Sequence, residues 1–124
     1  MSLADTVFKS GELTISVSTS AQGVTSIAWQ GTSDAREPGL ELTPFLTKIA
    51  EELSGGAVEV DFRKLEYMNS ATVSPIIHFA RALDSHGVKA RLLYDAGIGW
   101  QRVNFVCMKT IAKTLKHIEV ADAR

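Results

Sequence analysis

The chain of 124 residues has a single cysteine, no long apolar run and no excess of charge of either sign. Because Cys107 has no second cysteine to pair with, no disulfide can form within the chain, which is typical of proteins in a reducing cytosol. No apolar run approaches the ~20 residues that cross a bilayer, and the first residues lack the basic and apolar parts of a secretion signal. These absences predict a cytoplasmic protein without membrane insertion.

Blocks of basic residues are also missing. The 13 Lys and Arg residues are matched by 14 Asp and Glu residues, giving a formal net charge of -1. Proteins that bind nucleic acid usually concentrate basic residues to displace counterions from phosphates, so we expect no nucleic-acid partner. The length and the hydrophobic fraction of 45% fit one compact domain over residues 1–124, with its core at about 13–120.

The spacing of apolar residues predicts an α/β domain. Alternation over 13–17 and 26–30 indicates an N-terminal β-hairpin with a turn at Gln22-Gly23. Thr43 is predicted to cap the first helix, with Pro44 at its first position. The remaining elements are expected as strands at 58–62, 88–94 and 115–120 and helices at about 70–85 and 98–113, with loops or loose ends at 3–9, 31–39 and 121–124. This order, β-β-α-β-α-β-α-β, predicts a mixed, mostly parallel sheet.

The two central strands alternate between apolar and charged residues. Strands covered on both faces of a parallel sheet are nearly continuous in apolar residues, so the alternation predicts helices mainly on one face. Glu59 and Asp61 carry one sign and Lys89 and Arg91 the other, which favours neighbouring strands with facing charges. The alternative is that these are unrelated surface charges.

The segment from Asn69 to His86 carries the main functional hypothesis. Ser70, Ser74, His78 and Arg81 follow one stripe of the predicted helix, opposite an apolar stripe. Pro75 is tolerable only in the first turn, which places the helix start near 69–72. A phosphate on Ser70 would lie beside backbone N–H groups that the helix leaves unpaired. The alternative is that Ser70 and Asn69 only cap the helix.

The run from Val58 to Ser70, VEVDFRKLEYMNS, resembles the core of the STAS domain, a family that includes antagonists of bacterial anti-sigma factors. The resemblance implies a STAS-like (SpoIIAA-like) fold and a non-enzymatic regulator. In antagonist-type members, the serine after the motif's Asp is phosphorylated by an anti-sigma factor that is also a serine kinase of the histidine-kinase-like ATPase type. The matching residue here is Ser70. Asn69 replaces the family's Asp, and Thr72 replaces its Gly.

From the helix stripe and the resemblance together we expect a switchable contact with a protein partner. The expected partner-binding residues are Asn69, Ser70, Thr72, Ser74, His78 and Arg81, with Ser70 as the phosphorylation site. Two alternatives are a constitutive scaffold or subunit domain of a transport or signalling assembly and, less favoured, a small-ligand or nucleotide binder at Ser70 and the Gly97 turn.

No catalytic residue, metal or cofactor is expected. Ser74 and His78 lack a carboxylate to orient the imidazole, and the histidines form no ligand cluster with Cys107, which we expect in the core. The last helix is apolar on more than one face. Trp100, Phe105 and Met108 are therefore considered as a second partner or homodimer contact, although deep packing of this helix is the favoured alternative.

Overall fold

The computed structural model describes residues 5–123, and within that range it contains a six-stranded sheet and three α-helices. The strands are β1 (Thr6–Ser10), β2 (Leu13–Thr19), β3 (Thr25–Ser33), β4 (Ala57–Met68), β5 (Lys89–Tyr94) and β6 (Ile118–Asp122). The helices are α1 (Gly39–Glu52), α2 (Val73–Ser85) and α3 (Gly99–Ala112), and a 3-10 turn, Ser70–Thr72, leads directly into α2.

The strands lie in the sheet in the order in which they occur in the chain. β1, β2 and β3 are antiparallel neighbours, whereas β3 to β6 are parallel and joined by α1, α2 and α3. Crossovers between parallel strands share one hand, and here each steps in the same direction, so all three helices lie on one face. The predicted mixed sheet with an N-terminal hairpin and helices on one face is confirmed.

The core lies between the helices and that one sheet face. Its centre is aromatic: the ring of Phe62 lies 5.0 Å from Trp29 and 4.8 Å from Phe105, which stacks on Tyr94 at 5.5 Å. Trp29, Phe62 and Phe105 are completely buried. This cluster joins β3, β4, β5 and α3.

The other sheet face is uncovered and carries the charged residues. Glu59 and Arg91 face each other across β4 and β5, and Arg91 contacts both Glu59 at 3.5 Å and Glu119 at 3.0 Å. The predicted pairing of these strands is therefore confirmed. Asp61 instead faces Leu93 and forms its ion pair with Arg63 at 2.8 Å.

Both ends of the domain are more ordered than the sequence predicted. The expected loose end over 3–9 contains β1, and Ala121 and Asp122 belong to β6, whereas residues 3, 4 and 124 lie outside the described residues. β1 is an edge strand whose Phe8 stacks on Phe45 of α1 at 4.7 Å. One buried contact in five residues leaves no alternating pattern for sequence reasoning to detect. The last strand also starts later than expected, at Ile118.

The predicted start of α1 at Thr43 is wrong. The helix begins at Gly39, because the carbonyl of Pro38 accepts a hydrogen bond from Leu42 N at 2.9 Å. Pro44 is thus inside the helix, where its missing N–H leaves the carbonyl of exposed Leu40 to solvent.

The segment expected as a loop from residue 31 and the segment that follows the strand expected at 58–62 are both partly strand. β3 continues to Ser33 and β4 to Met68, and their register shifts at two places near Gly31. Gly31 has a φ of 86°, and a side chain there would collide with the carbonyl of Glu12. Glycine is therefore required at this bulge, which lets both strands run on to the start of α2.

Candidate functional site

Two parallel strands end side by side just before α2. Ser33, the last residue of β3, is the register partner of Met68, the last residue of β4. The chain leaves β4 at Asn69, passes through the 3-10 turn and enters α2. The carboxyl ends of neighbouring parallel strands are a common place for binding sites in α/β proteins.

Asn69 joins three parts of this region. Its backbone N–H donates to Ser33 O at 2.9 Å, and its Nδ2 donates to Ala35 O in the following loop at 2.8 Å. Its Oδ1 accepts from the backbone N–H of Thr72 at 3.1 Å. Asn69 is therefore the residue that caps the 3-10 turn. An aspartate could make the cap but could not donate to Ala35, so the side-chain amide of Asn69 has a structural role here.

Thr72 is completely buried beneath the turn. Its Oγ1 lies 2.7 Å from Oγ of Ser33 and donates to Oδ1 of Asn69 at 2.7 Å. We call Ser33, Asn69 and Thr72 the polar cluster. The prediction that Thr72 contacts a partner is corrected, because its side chain points into the domain. It instead fixes the turn on which Ser70 lies.

Ser70 is exposed at the first position of the 3-10 turn. Its hydroxyl makes no hydrogen bond with any residue between 5 and 123, and the capping is done by Asn69. The hydroxyl of Ser70 is thus held on a rigid turn and left available to solvent.

The stripe predicted below Ser70 faces outward. Ser74, His78 and Arg81 are all exposed, while the opposite side of α2 buries Ile76, Phe79, Ala80 and Leu83. Two residues of the predicted apolar stripe, Val73 and Ile77, are only half-buried, and Pro75 lies in the first turn as expected. Binding of a partner along this stripe stays a prediction.

Two exposed apolar residues lie at the same end of the domain and escaped the sequence analysis. Leu40 is 72% exposed and Tyr67 is 49% exposed. Tyr67 is the last residue but one of β4, two residues before Asn69. Leu40 follows Gly39, whose Cβ position lies 3.6 Å from Pro75 in α2. We call Leu40, Tyr67, Ser70 and Ser74 the tip surface. Leu40 lies off the apolar stripe of α1, so helical spacing could have identified it as an exposed apolar residue.

The second contact considered on α3 is corrected for Phe105 and Met108, and for Trp100 it stays a prediction. Phe105 and Met108 are buried against the sheet, and Trp100 is half-buried. Deep packing of this side of the helix is therefore the right alternative. The exposed side instead carries Val103 and Val106, with Cys107 also exposed rather than in the core. A helix at the end of a one-sided layer leaves its outer face in solvent.

Gln101 is a buried polar residue that the sequence analysis missed. Its Nε2 donates to the carbonyls of Phe62 at 2.8 Å and Leu65 at 3.0 Å, and its Oε1 accepts from Asp95 N at 2.9 Å. It fixes the start of α3 to the second half of β4. Its spacing from Phe105 and Met108 places it on the buried stripe, which is the signal that was available.

The remaining candidate chemistry finds little support in the geometry. At the Gly97 turn, the Asp95 carboxylate accepts from Gly97 N at 2.8 Å, so a phosphate there would meet a negative charge. Nowhere in residues 5–123 do three or more His, Cys, Asp or Glu side chains come close enough to hold a metal ion. No helix in the same range is both long and apolar enough to cross a membrane.

The comparisons with known proteins identify the fold. No family model matches the sequence, and no curated protein matches it. Among solved structures, an anti-sigma factor antagonist from Mycobacterium paratuberculosis superposes with a TM-score of 0.62 at 13% identity, covering 90% of each chain. The anti-sigma factor antagonist SpoIIAA in its unphosphorylated form gives a TM-score of 0.59 at 16% identity, covering 89% of this chain and 88% of its own. The chain therefore has the fold of these anti-sigma factor antagonists, as its resemblance to the STAS domain predicted.

Proposed function

We propose that this protein is a regulatory domain that binds a partner protein through the tip surface, and that phosphorylation of Ser70 releases the partner. The observation that carries the proposal is the exposed Ser70 hydroxyl, which lies on a turn held by the hydrogen bonds of Asn69 and Thr72 but has no role in capping α2. The fold shared with anti-sigma factor antagonists supports a partner of the anti-sigma factor type.

The physical basis of the switch is local charge. A phosphate on Ser70 adds nearly two negative charges and three acceptor oxygens. Free in solution the domain tolerates them, because Ser70 is exposed beside the unpaired N–H groups of the turn. In a complex the same charge would be buried against the partner, and burying an unpaired charge strongly opposes binding.

The contact itself combines polar and apolar residues. Leu40 and Tyr67 supply the apolar area that desolvates well on binding. Asn69, Ser74, His78 and Arg81 extend the contact along the turn and α2. The polar cluster holds the turn that carries Ser70 in one geometry before binding, which reduces the conformational entropy lost in the complex.

The test is phosphorylation by an anti-sigma factor kinase of the histidine-kinase-like ATPase type encoded in the same genome. Incubation with ATP should add one phosphate to the wild-type chain, measured by intact mass and located at Ser70 by peptide mapping. Ser70→Ala should accept none, while Ser74→Ala, which removes an exposed hydroxyl one turn away, should accept one as before. Phosphate at Ser74, or on the Ser70→Ala chain, would contradict the assignment.

A further inference from the structure

The free edge of β6 is the second surface with the features of a binding site. β6 pairs with β5 on one side: Ala90 N donates to His117 O at 3.0 Å, and Ala123 N donates to Tyr94 O at 2.8 Å. In this parallel register the odd-numbered residues of β6 bond to β5, so the backbone groups of Ile118 and Val120 point the other way. An edge of this kind is a template for another strand.

A groove of about 290 Å³ runs along this edge beneath α3. Lys109, Ala112 and Lys113 form its helix side, and residues 118–122 form its strand side. The side chains of Ala112, Ile118 and Val120 make the floor apolar. A strand added at the usual spacing of about 4.8 Å from β6 would lie in this groove, with the helix above it. This is the geometry in which several peptide-binding domains take an extended segment.

Two lysines on the helix side of the groove favour an acidic occupant. Lys109 and Lys113 are exposed, one helical turn apart, and neither forms an ion pair within residues 5–123. The lining also contains two carboxylates: Glu119 accepts from Arg91 at 3.0 Å, and Asp122, at the end of β6, accepts from Ala96 N at 3.1 Å. The helix side of the groove thus presents two lysines without an ion pair beside the outward-pointing backbone groups of Ile118 and Val120.

We propose that the groove between α3 and β6 binds an extended acidic segment of a partner protein, which adds to the sheet as a seventh strand. Backbone hydrogen bonds with Ile118 and Val120 provide affinity, and the two lysines favour acidic side chains. The surface is separate from the tip surface, because β6 lies two strands away from β4. The two surfaces can therefore be occupied together, and phosphorylation at Ser70 leaves the groove unchanged.

The test uses the isotope-labelled chain and two capped eight-residue peptides, one of alternating Val and Glu and one of alternating Val and Lys, followed by NMR. The Val-Glu peptide should shift resonances of β6 and the second half of α3 and slow amide exchange of Ile118 and Val120. The Val-Lys peptide should bind at least tenfold more weakly. Equal binding of both peptides, shifts confined to other elements, or no shift at millimolar peptide would overturn the proposal.

A charge reversal with a matched control distinguishes binding in the groove from long-range electrostatic attraction to the whole protein. The variant Lys109→Glu/Lys113→Glu should no longer bind the Val-Glu peptide and should bind the Val-Lys peptide instead. Lys48→Glu/Lys64→Glu changes the net charge equally, at exposed positions on α1 and β4, and should keep the wild-type preference. If both double variants weaken Val-Glu binding equally, long-range charge rather than the groove explains the affinity, and the proposal fails.

Discussion

Removing the hydroxyl of Thr72 tests whether the polar cluster holds the turn that carries Ser70. Valine has nearly the same shape, so Thr72→Val removes the two 2.7 Å contacts with Ser33 and Asn69 without leaving a cavity. Ser33 is only 2% exposed, and its hydroxyl would lose its partner. A buried hydrogen bond contributes about 1 kcal/mol net, and an orphaned buried partner costs about 1–3 kcal/mol.

We therefore expect Thr72→Val to lower the free energy of unfolding by about 2–3 kcal/mol. For a chain of 124 residues this corresponds to a fall of roughly 8–12 °C in Tm. Urea denaturation followed by circular dichroism gives the free energy, and calorimetry gives Tm. Thr47→Val is the matched control: Thr47 is half-buried on α1, and its hydroxyl has no partner in the described chain, so we expect a change within about 0.5 kcal/mol.

A second variant makes the reasoning refutable. Ser33→Ala/Thr72→Val removes both hydroxyls and leaves no orphan at Ser33, so it should be no less stable than Thr72→Val alone. If Thr72→Val unfolds like the wild type, the cluster does not hold the turn. If the losses of stability measured for Ser33→Ala alone and Thr72→Val alone simply add in the double variant, the two hydroxyls are not coupled and the geometry described above is wrong.

Three further predictions concern other parts of the domain. The pKa of Asp61 lies below its ordinary value of 3.8, chiefly because Arg63 hydrogen-bonds to the carboxylate. The ion pair therefore stabilises the fold fully above that ordinary value, and this stabilisation is lost as the pH falls through the lowered pKa. Arg63→Ala should cost about 1 kcal/mol or less at neutral pH, since the pair is partly exposed. Its deficit in urea denaturation should shrink in acid to the part that comes from the lost bond of Arg63 to Ala123 O at 2.8 Å; a deficit independent of pH would contradict this. Gln101→Leu should cost at least about 2 kcal/mol, because it orphans groups of Phe62, Leu65 and Asp95, and an unchanged Tm would refute it. Leu40→Ser/Tyr67→Ala should weaken partner binding at least ~10-fold without altering Tm, measured by calorimetric titration against the similarly exposed control Val103→Ser; equal losses in both variants would exclude the tip surface as the contact.

The sequence predicts the sheet where its strands are half-buried. Alternation identified β2 and the centre of β4 because one face packs against helices and the other meets solvent. It failed at β1, where only Phe8 finds a buried contact, and beyond Phe62, where β4 follows a bulge in β3 that Gly31 allows. That bulge depends on contact with Glu12, which no local pattern reports.

The candidate site shows the same division. Helical spacing was enough to place Ser70, Ser74 and His78 on the outer face. It could not orient Thr72, because the 3-10 turn before α2 interrupts the helical spacing and turns this side chain inward. The exposure of Tyr67 and Leu40 follows from how the end of β4 and the start of α1 lie against α2, which only the folded domain determines.

The most direct test of the account is the dissociation constant of the partner complex measured with unphosphorylated chain and with chain phosphorylated stoichiometrically at Ser70. Burial of the added charge should weaken binding by at least ~30-fold, while the Tm of the free domain stays nearly unchanged because Ser70 is exposed. Equal affinities for the two forms, or a phosphorylated domain that is itself unfolded, would contradict the claim that Ser70 switches a contact at a rigid surface.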